Sequence, residues 1–348
     1  MKFDTHATYT RLTFAGVCLA AALLCITAAS IARSDPATPK EAPPEPAPGD
    51  NDDARDDRPG APGWPAPSEA EAPQAEPQPI VMQSIVKSEH VGEQHVVFVL
   101  PPDYHDKPED RWPAVLTFAG LGESKRGNRA GAWGWVEMYG VVPAMAALHR
   151  NHLTPEDLKG LAEPEELDAY NKVLTESPYR GVILVCPYPP RRTSDDYERY
   201  LIEELIPYTN ATLRVFPEPA RWGIDGISMG GMLSTVIGFS HPRHFGAFGS
   251  QQSSLSYSPR LKAMIEERRE HLAGRPINVA TSKHDPFRRS LADLSKRLGE
   301  MGVEHRFTIL PGRHNKRFVK GPGSIELLLF QDRALWGEGE MPPAVLER

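Results

Sequence analysis

From residue 80 onward the sequence alternates short apolar runs with stretches of helical character, and that rhythm admits few folds. Four runs, PAVLTFAG (113–120), GVILVCP (181–187), RWGIDG (221–226) and HFGAFGS (244–250), lack a regular polar alternation. That is the pattern of strands buried on both faces. PINVAT (276–281) and HRFTILPG (305–312) follow as two further strands. Such strands separated by helices predict an α/β fold, a mostly parallel central sheet with helices on both faces. The opening runs, IVMQSIVKS (80–88) and EQHVVFVLPPDY (93–104), read as an antiparallel entry whose second strand ends in a Pro-Pro-Asp turn. Residues 195–213 place Tyr200, Leu201, Leu205 and Ile206 near helical spacing, and a further helix opens at Pro286 and runs through Leu298. Thr154-Pro155-Glu156-Asp157 has the form of a capping box and predicts a charged helical stretch from there to about Glu176. This insertion reads either as a lid or as a surface elaboration.

Residues 34–79 are a different kind of chain. They hold 13 of the 35 prolines and 11 Asp or Glu against 3 Lys or Arg, with almost no aliphatic residues. Such a segment cannot bury enough apolar surface to offset its ordering entropy, so it is expected to be a disordered acidic linker. Upstream, Lys2 and Arg11 precede an uncharged apolar stretch at residues 12–29. This is a signal peptide or a membrane anchor, with small residues at Ser30 and Ala32, or Thr27 and Ala29, suited to cleavage. The expected domains are therefore 1–33, 34–79 and 80–340, with the last exported: periplasmic, secreted or anchored. Net charge is −7 overall, of which −8 lies in the linker, so the remainder is nearly neutral and lacks the basic face that a nucleic-acid partner requires. Cys18, Cys25 and Cys186 all sit in apolar runs and read as fillers. There is no CxxC, no HExxH and no internal repeat, and no metal or other cofactor is expected.

The motif that carries chemistry is Gly226-Ile227-Ser228-Met229-Gly230, which fits G-x-S-x-G. Because the chain has 28 glycines, context decides its meaning. A strand precedes it and a helical pattern, GGMLSTVIGFSHP, follows, as a nucleophile elbow requires. The glycines give the backbone room to fold back tightly around the serine. A serine hydroxyl is a poor nucleophile at neutral pH and needs a base and an orienting acid. Asp285 follows one strand end and His314 the next, the Ser, Asp, His order of such sheets, both past the strand ends where ligands meet them. His305 lies inside a strand and His284 competes only if its loop turns differently. His241 and His244 flank a helix end and read as structural. Leu121 and Met229 are the candidate main-chain oxyanion donors. Trp133 and Trp135 are candidates for an aromatic or acyl pocket, or for packing anchors. Gln251 and Gln252 are candidates for reaching the substrate. Arg191 and Arg192 are candidates for meeting an anionic group, or a solvated turn.

Phe118-Ala119-Gly120-Leu121-Gly122, the elbow through Gly231, the segment HPRHFGAFGSQQSS (241–254), and the Asp285 and His314 loops together resemble the α/β-hydrolase superfamily. Within it they resemble the putative-esterase family that includes esterase D, feruloyl and acetylxylan esterases, enterochelin esterase and mycolyltransferases. The resemblance spans about residues 90–335 and implies an α/β-hydrolase fold and a serine carboxylic-ester hydrolase without metal or organic cofactor. A small-molecule or carbohydrate ester is the expected substrate. An acyltransferase with the same triad and a non-catalytic binding protein are the alternatives. Many relatives carry His-Gly where this chain has Ala119-Gly120, which leaves the anchoring of that loop to be explained.

Overall fold

The computed structural model describes residues 77–343, so the expectations for residues 1–33 and nearly all of 34–79 lie outside the described residues. Eight strands form one sheet: β1 (Ile80–Ser88), β2 (Gly92–Leu100), β3 (Ala114–Phe118), β4 (Ile183–Pro187), β5 (Trp222–Gly226), β6 (Ala247–Gln251), β7 (Ile277–His284) and β8 (Arg306–Arg313). Their spatial order is β1-β2-β4-β3-β5-β6-β7-β8. The β1–β2 and β2–β4 pairs are antiparallel and every later pair is parallel. β4 lies on one side of β3 and β5 on the other, so the loops leaving the carboxyl ends of β3 and β5 diverge and open a crevice there.

The apolar runs form central strands because each face is covered. In β2, Val96, Phe98 and Leu100 enter one core while Val97 and Val99 enter the other; in β4, Ile183 and Val185 oppose Leu184 and Cys186. One core is completed by helical residues from 195–212, Met229–Ser240, Pro259–Leu272 and Arg288–Glu300. The other takes Val141–His149, Pro164–Glu176 and Ser324–Trp336. Cys186 is wholly buried beside Thr117, and desolvation pushes its thiol up to about 12, which keeps it protonated and inert.

Two helix starts differ from the expectation, for local reasons. Asp157 does accept from the Thr154 N–H and hydroxyl, but Lys159 and Gly160 then take φ of 56° and 57° and end the turn. The helix begins instead at Pro164, where Glu163 and Glu166 form the capping box. Similarly, the Asp285 carboxylate accepts the Phe287 N–H, and the helix expected from Pro286 starts at Arg288. The 195–212 helix is continuous, widened to i→i+5 turns over Tyr200–Leu205.

Candidate active site

β5 runs directly into Ser228, whose backbone sits at φ 60° and ψ −119°, a conformation that L-residues rarely adopt. Neighbouring strands hold it there. The Ser228 N–H donates to the Gln251 carbonyl at 2.8 Å, the Ile227 N–H donates to the Phe118 carbonyl at 3.1 Å, and the Ser228 carbonyl accepts from Met232 N–H at 3.1 Å and Ser254 N–H at 3.2 Å. The turn is too tight for side chains. A Cβ on Gly226 would lie 2.3 Å from the Gly230 carbonyl oxygen, and one on Gly230 would lie 1.9 Å from that of Phe118. The Met229–Ser240 helix starts at the next residue, so its positive end faces the hydroxyl.

β7 and β8 deliver two further groups to that hydroxyl. His314 Nε2 lies 3.0 Å from Ser228 Oγ, and His314 Nδ1 lies 3.0 Å from Asp285 Oδ1. The Asp285 side chain is fully buried and also accepts from the Thr281 hydroxyl at 2.7 Å and the Phe287 N–H at 3.1 Å. With a carboxylate on its Nδ1 side, the imidazole carries its proton on Nδ1 and leaves Nε2 free to accept the serine proton. The Phe287 ring meets the imidazole edge to face, with centroids 5.4 Å apart. Gln252, at φ 41°, is buried and does not face the hollow over Ser228; its Nε2 donates to Ser282 Oγ at 2.7 Å and the Arg313 carbonyl at 3.3 Å, tying together the ends of β7 and β8.

The loop after β3 is anchored by two residues that sequence inspection missed. The Gly120 N–H donates to the Tyr139 hydroxyl at 3.0 Å, and that hydroxyl in turn donates to the Glu123 carboxylate. Both side chains are buried, and desolvation, followed by the hydrogen bond and charge of Glu123, raises the Tyr139 hydroxyl far above its ordinary range, so it stays protonated. A Cβ on Gly120 would lie 2.9 Å from the Tyr139 oxygen and 3.6 Å from Ser228 Cβ, which brings this loop against the serine. No acceptor among the described residues takes the N–H of Leu121 or Met229, and both residues line a hollow of about 720 Å³ together with Ser228, Met232, Ser254 and Phe287. Tyr139 and Glu123 thus fill the anchoring role that Ala119-Gly120 left open. They are legible only as a spacing of 16 residues across loop and helix turns.

Other candidates lie elsewhere. Gln251 is 1% exposed and its Nε2 donates to the Gly323 carbonyl at 3.0 Å, so its main chain holds Ser228 while its side chain points into the protein: it is not placed to bind substrate. Strand alternation at the end of β6 accounts for this. Trp133 donates to Gln83 Oε1 at 3.1 Å and lines a separate hollow with Gln83, Arg126 and Glu137, away from Ser228. Trp135 is a buried packing anchor against Tyr139. His241 bonds Glu198, His305 bonds Ser295, and neither these nor His244 or His284 contacts Ser228. The 154–176 insertion contributes nothing to the lining of the hollow; it buttresses the triad loops through Glu166 on Lys283 at 3.5 Å and the Lys159 carbonyl on Arg317 at 2.7 Å. Arg191 and Arg192 do line the hollow. Among the described residues no group of three or more His, Cys, Asp or Glu is gathered as a metal ion needs.

Comparison with known proteins gives the family and the fold. The family model described as "Putative esterase" matches residues 88–338. The chain belongs to that family. It is a carboxylic ester hydrolase with the α/β-hydrolase fold. Among solved structures, a ferulic acid esterase is 16% identical, with TM-score 0.53, over 74% of this chain and 99% of its own. FphF of Staphylococcus aureus, described as a fluorophosphonate-binding serine hydrolase, is 12% identical, with TM-score 0.51, over 73% of this chain and 98% of its own. No curated protein sequence matches this esterase.

Proposed function

We propose that this esterase works by two-step acyl transfer through an acyl-enzyme on Ser228. The observation that carries the reading is the chain of contacts from Ser228 Oγ to His314 Nε2 and from His314 Nδ1 to Asp285 Oδ1, each 3.0 Å. His314 takes the serine proton as Oγ attacks the ester carbonyl, and the unpaired N–H groups of Leu121 and Met229 receive the charge that develops on the carbonyl oxygen. His314 then returns the proton to the leaving alcohol. Water, deprotonated by the same imidazole, attacks the acyl-enzyme, releases the acid and restores the serine. Asp285 fixes the tautomer and stabilises the imidazolium that forms in each half.

The reading includes export. The apolar stretch at 12–29 followed by an acidic, proline-rich segment suits a catalytic domain working outside the cytoplasm, released or tethered. Extracellular and envelope esters of small molecules or carbohydrates are the substrates within reach there. The test is fluorophosphonate labelling of the purified protein read by peptide mass, alongside His314→Ala. The expected result is an adduct on Ser228 that disappears in the variant; a folded wild-type protein that takes no adduct on Ser228 overturns the mechanism. Cell fractionation with and without residues 1–33 tests export, and an equal cytoplasmic yield from both overturns it.

A further inference from the structure

We propose that the ester cleaved at Ser228 carries an anionic group, a carboxylate, phosphate or sulfate, which Arg191 and Arg192 bind. The proposal rests on the ester-hydrolase reading of Ser228 and adds the chemical class of its substrate. Both arginines line the hollow that holds Ser228, and no other charged residue among the described ones lines it. The remaining lining is apolar, Leu121, Met229, Met232 and Phe287, apart from two serine hydroxyls. The hollow thus has the form expected for a ligand with a nonpolar body and one negative end.

The loop that presents the two guanidinium groups is fixed on either side of them. After β4, the Tyr188 hydroxyl donates to the Ser124 carbonyl at 2.9 Å, and the Tyr188 carbonyl accepts the Tyr197 hydroxyl at 2.6 Å. Pro189 and Pro190 restrict the backbone immediately before the pair. Beyond it, the Thr193 hydroxyl donates to Glu198 and Ser194 caps the helix that follows. Two arginines carried on such a loop are held near the serine.

Among the described residues their charges have no counterpart. Most of the described arginines find an acceptor: Arg126 meets Glu137, Arg180 meets Glu338, Arg306 meets Glu326 and Arg333 meets Asp332. Among the described residues no carboxylate or carbonyl accepts from Arg191 or Arg192, although Asp195 and Asp196 follow closely in sequence. A bound anion is able to accept from the forked N–H donors that the pair presents. The pair also raises the local concentration of anionic esters around an otherwise nearly neutral domain.

The experiment compares matched esters. In one arm the anion is on the acyl side, mono-4-nitrophenyl succinate against its methyl ester; in the other it is on the alcohol side, the acetate of 4-hydroxybenzoate against that of methyl 4-hydroxybenzoate. The readout is the ratio of kcat/KM, charged over neutral, for wild type, Arg191→Gln/Arg192→Gln and Arg191→Lys/Arg192→Lys. One arm is expected to show a ratio of about tenfold or more in wild type at low salt, the Gln pair to bring it to about one, and the Lys pair to keep part of it. The responding arm identifies which side of the ester bears the anion. A wild-type ratio near one in both arms, or a ratio that survives the Gln pair, overturns the proposal and leaves the hydrolase reading standing. Cleavage of no ester in either arm overturns both.

Discussion

Tyr139→Phe removes one oxygen atom beneath the active site and leaves the ring and its packing on Trp135 in place. The hydroxyl lies between two buried groups, accepting from Gly120 N–H at 3.0 Å and donating to the Glu123 carboxylate. Without it the N–H loses its partner, at a cost of about 1–3 kcal/mol, and a buried carboxylate loses a donor, which costs at least as much. The folded state is therefore expected to lose roughly 2–5 kcal/mol, a large share of a typical net stability of about 5–15 kcal/mol. The effect on turnover follows from position. Gly120 directly precedes Leu121, so a loop that shifts to find a new acceptor for the Gly120 N–H misaims the Leu121 N–H. Complete loss of one oxyanion donor costs about 10²–10³ in kcat, and a misaimed donor is expected to cost at least about tenfold. Because that donor acts mainly in the transition state, KM should change little. Steady-state kinetics on a short-chain 4-nitrophenyl ester, with urea unfolding of the same samples, test both parts. A kcat within about threefold of wild type, in a variant that has lost the expected stability, shows that the hydroxyl holds the fold but not the oxyanion loop, and refutes the reasoning.

Three further perturbations follow from the same geometry. Asp225, buried on β5 between the Gly226 N–H and Gln331 Nε2, is raised from 3.8 to about 7 by desolvation. Between those values the unfolded chain has released a proton that the folded chain retains, so stability falls as pH rises through the window, by up to about 4 kcal/mol. Asp225→Asn, whose amide can meet the otherwise unpartnered Gln331 Oε1, should remove that loss. Asp332, raised to about 6, titrates in both proteins and cancels from their difference. Urea midpoints at pH 5 and pH 8 that show no growth in the variant's advantage would sink this account. Thr281→Val takes the 2.7 Å donor from Asp285 Oδ2 and is expected to lower kcat several-fold with little change in KM; a kcat equal to that of wild type contradicts it. Gly230→Ala puts a methyl group within 1.9 Å of the Phe118 carbonyl oxygen, so soluble yield and thermal midpoint should collapse, whereas Gly274→Ala, with nothing within 4 Å but φ 68°, should cost only about 1 kcal/mol.

What could be read from the sequence, and what could not, divides by the range of the forces involved. The elbow was legible because its glycines follow a short motif: Gly226 is crowded by the Gly230 carbonyl four residues on, whereas Gly230 is crowded by the Phe118 carbonyl at the end of β3, a contact that only the fold supplies. The parallel sheet was legible because strands covered on both faces need apolar residues at consecutive positions, as β3 and β4 have. Asp285 and His314 came from strand order alone, and the fold does bring them within hydrogen-bonding distance of each other and of Ser228. Side-chain direction at strand and helix ends was not legible, since where those ends fall and what they face depend on contacts between distant segments. Gln251 points to Gly323, 72 residues away, and Trp133 points to Gln83, 50 residues away, so neither reaches the hollow. By the same logic an unremarkable Arg-Arg pair in a proline-rich turn is carried to the hollow over Ser228 by a loop that Tyr188 and Tyr197 hold, and Tyr139 supplies the loop anchor that no motif announces. Residues set by local geometry are accordingly legible in a sequence, while those placed by long-range contact, Arg191, Arg192 and Tyr139 among them, are read only from the fold, and the arginine pair lining the hollow is the place to look for substrate choice.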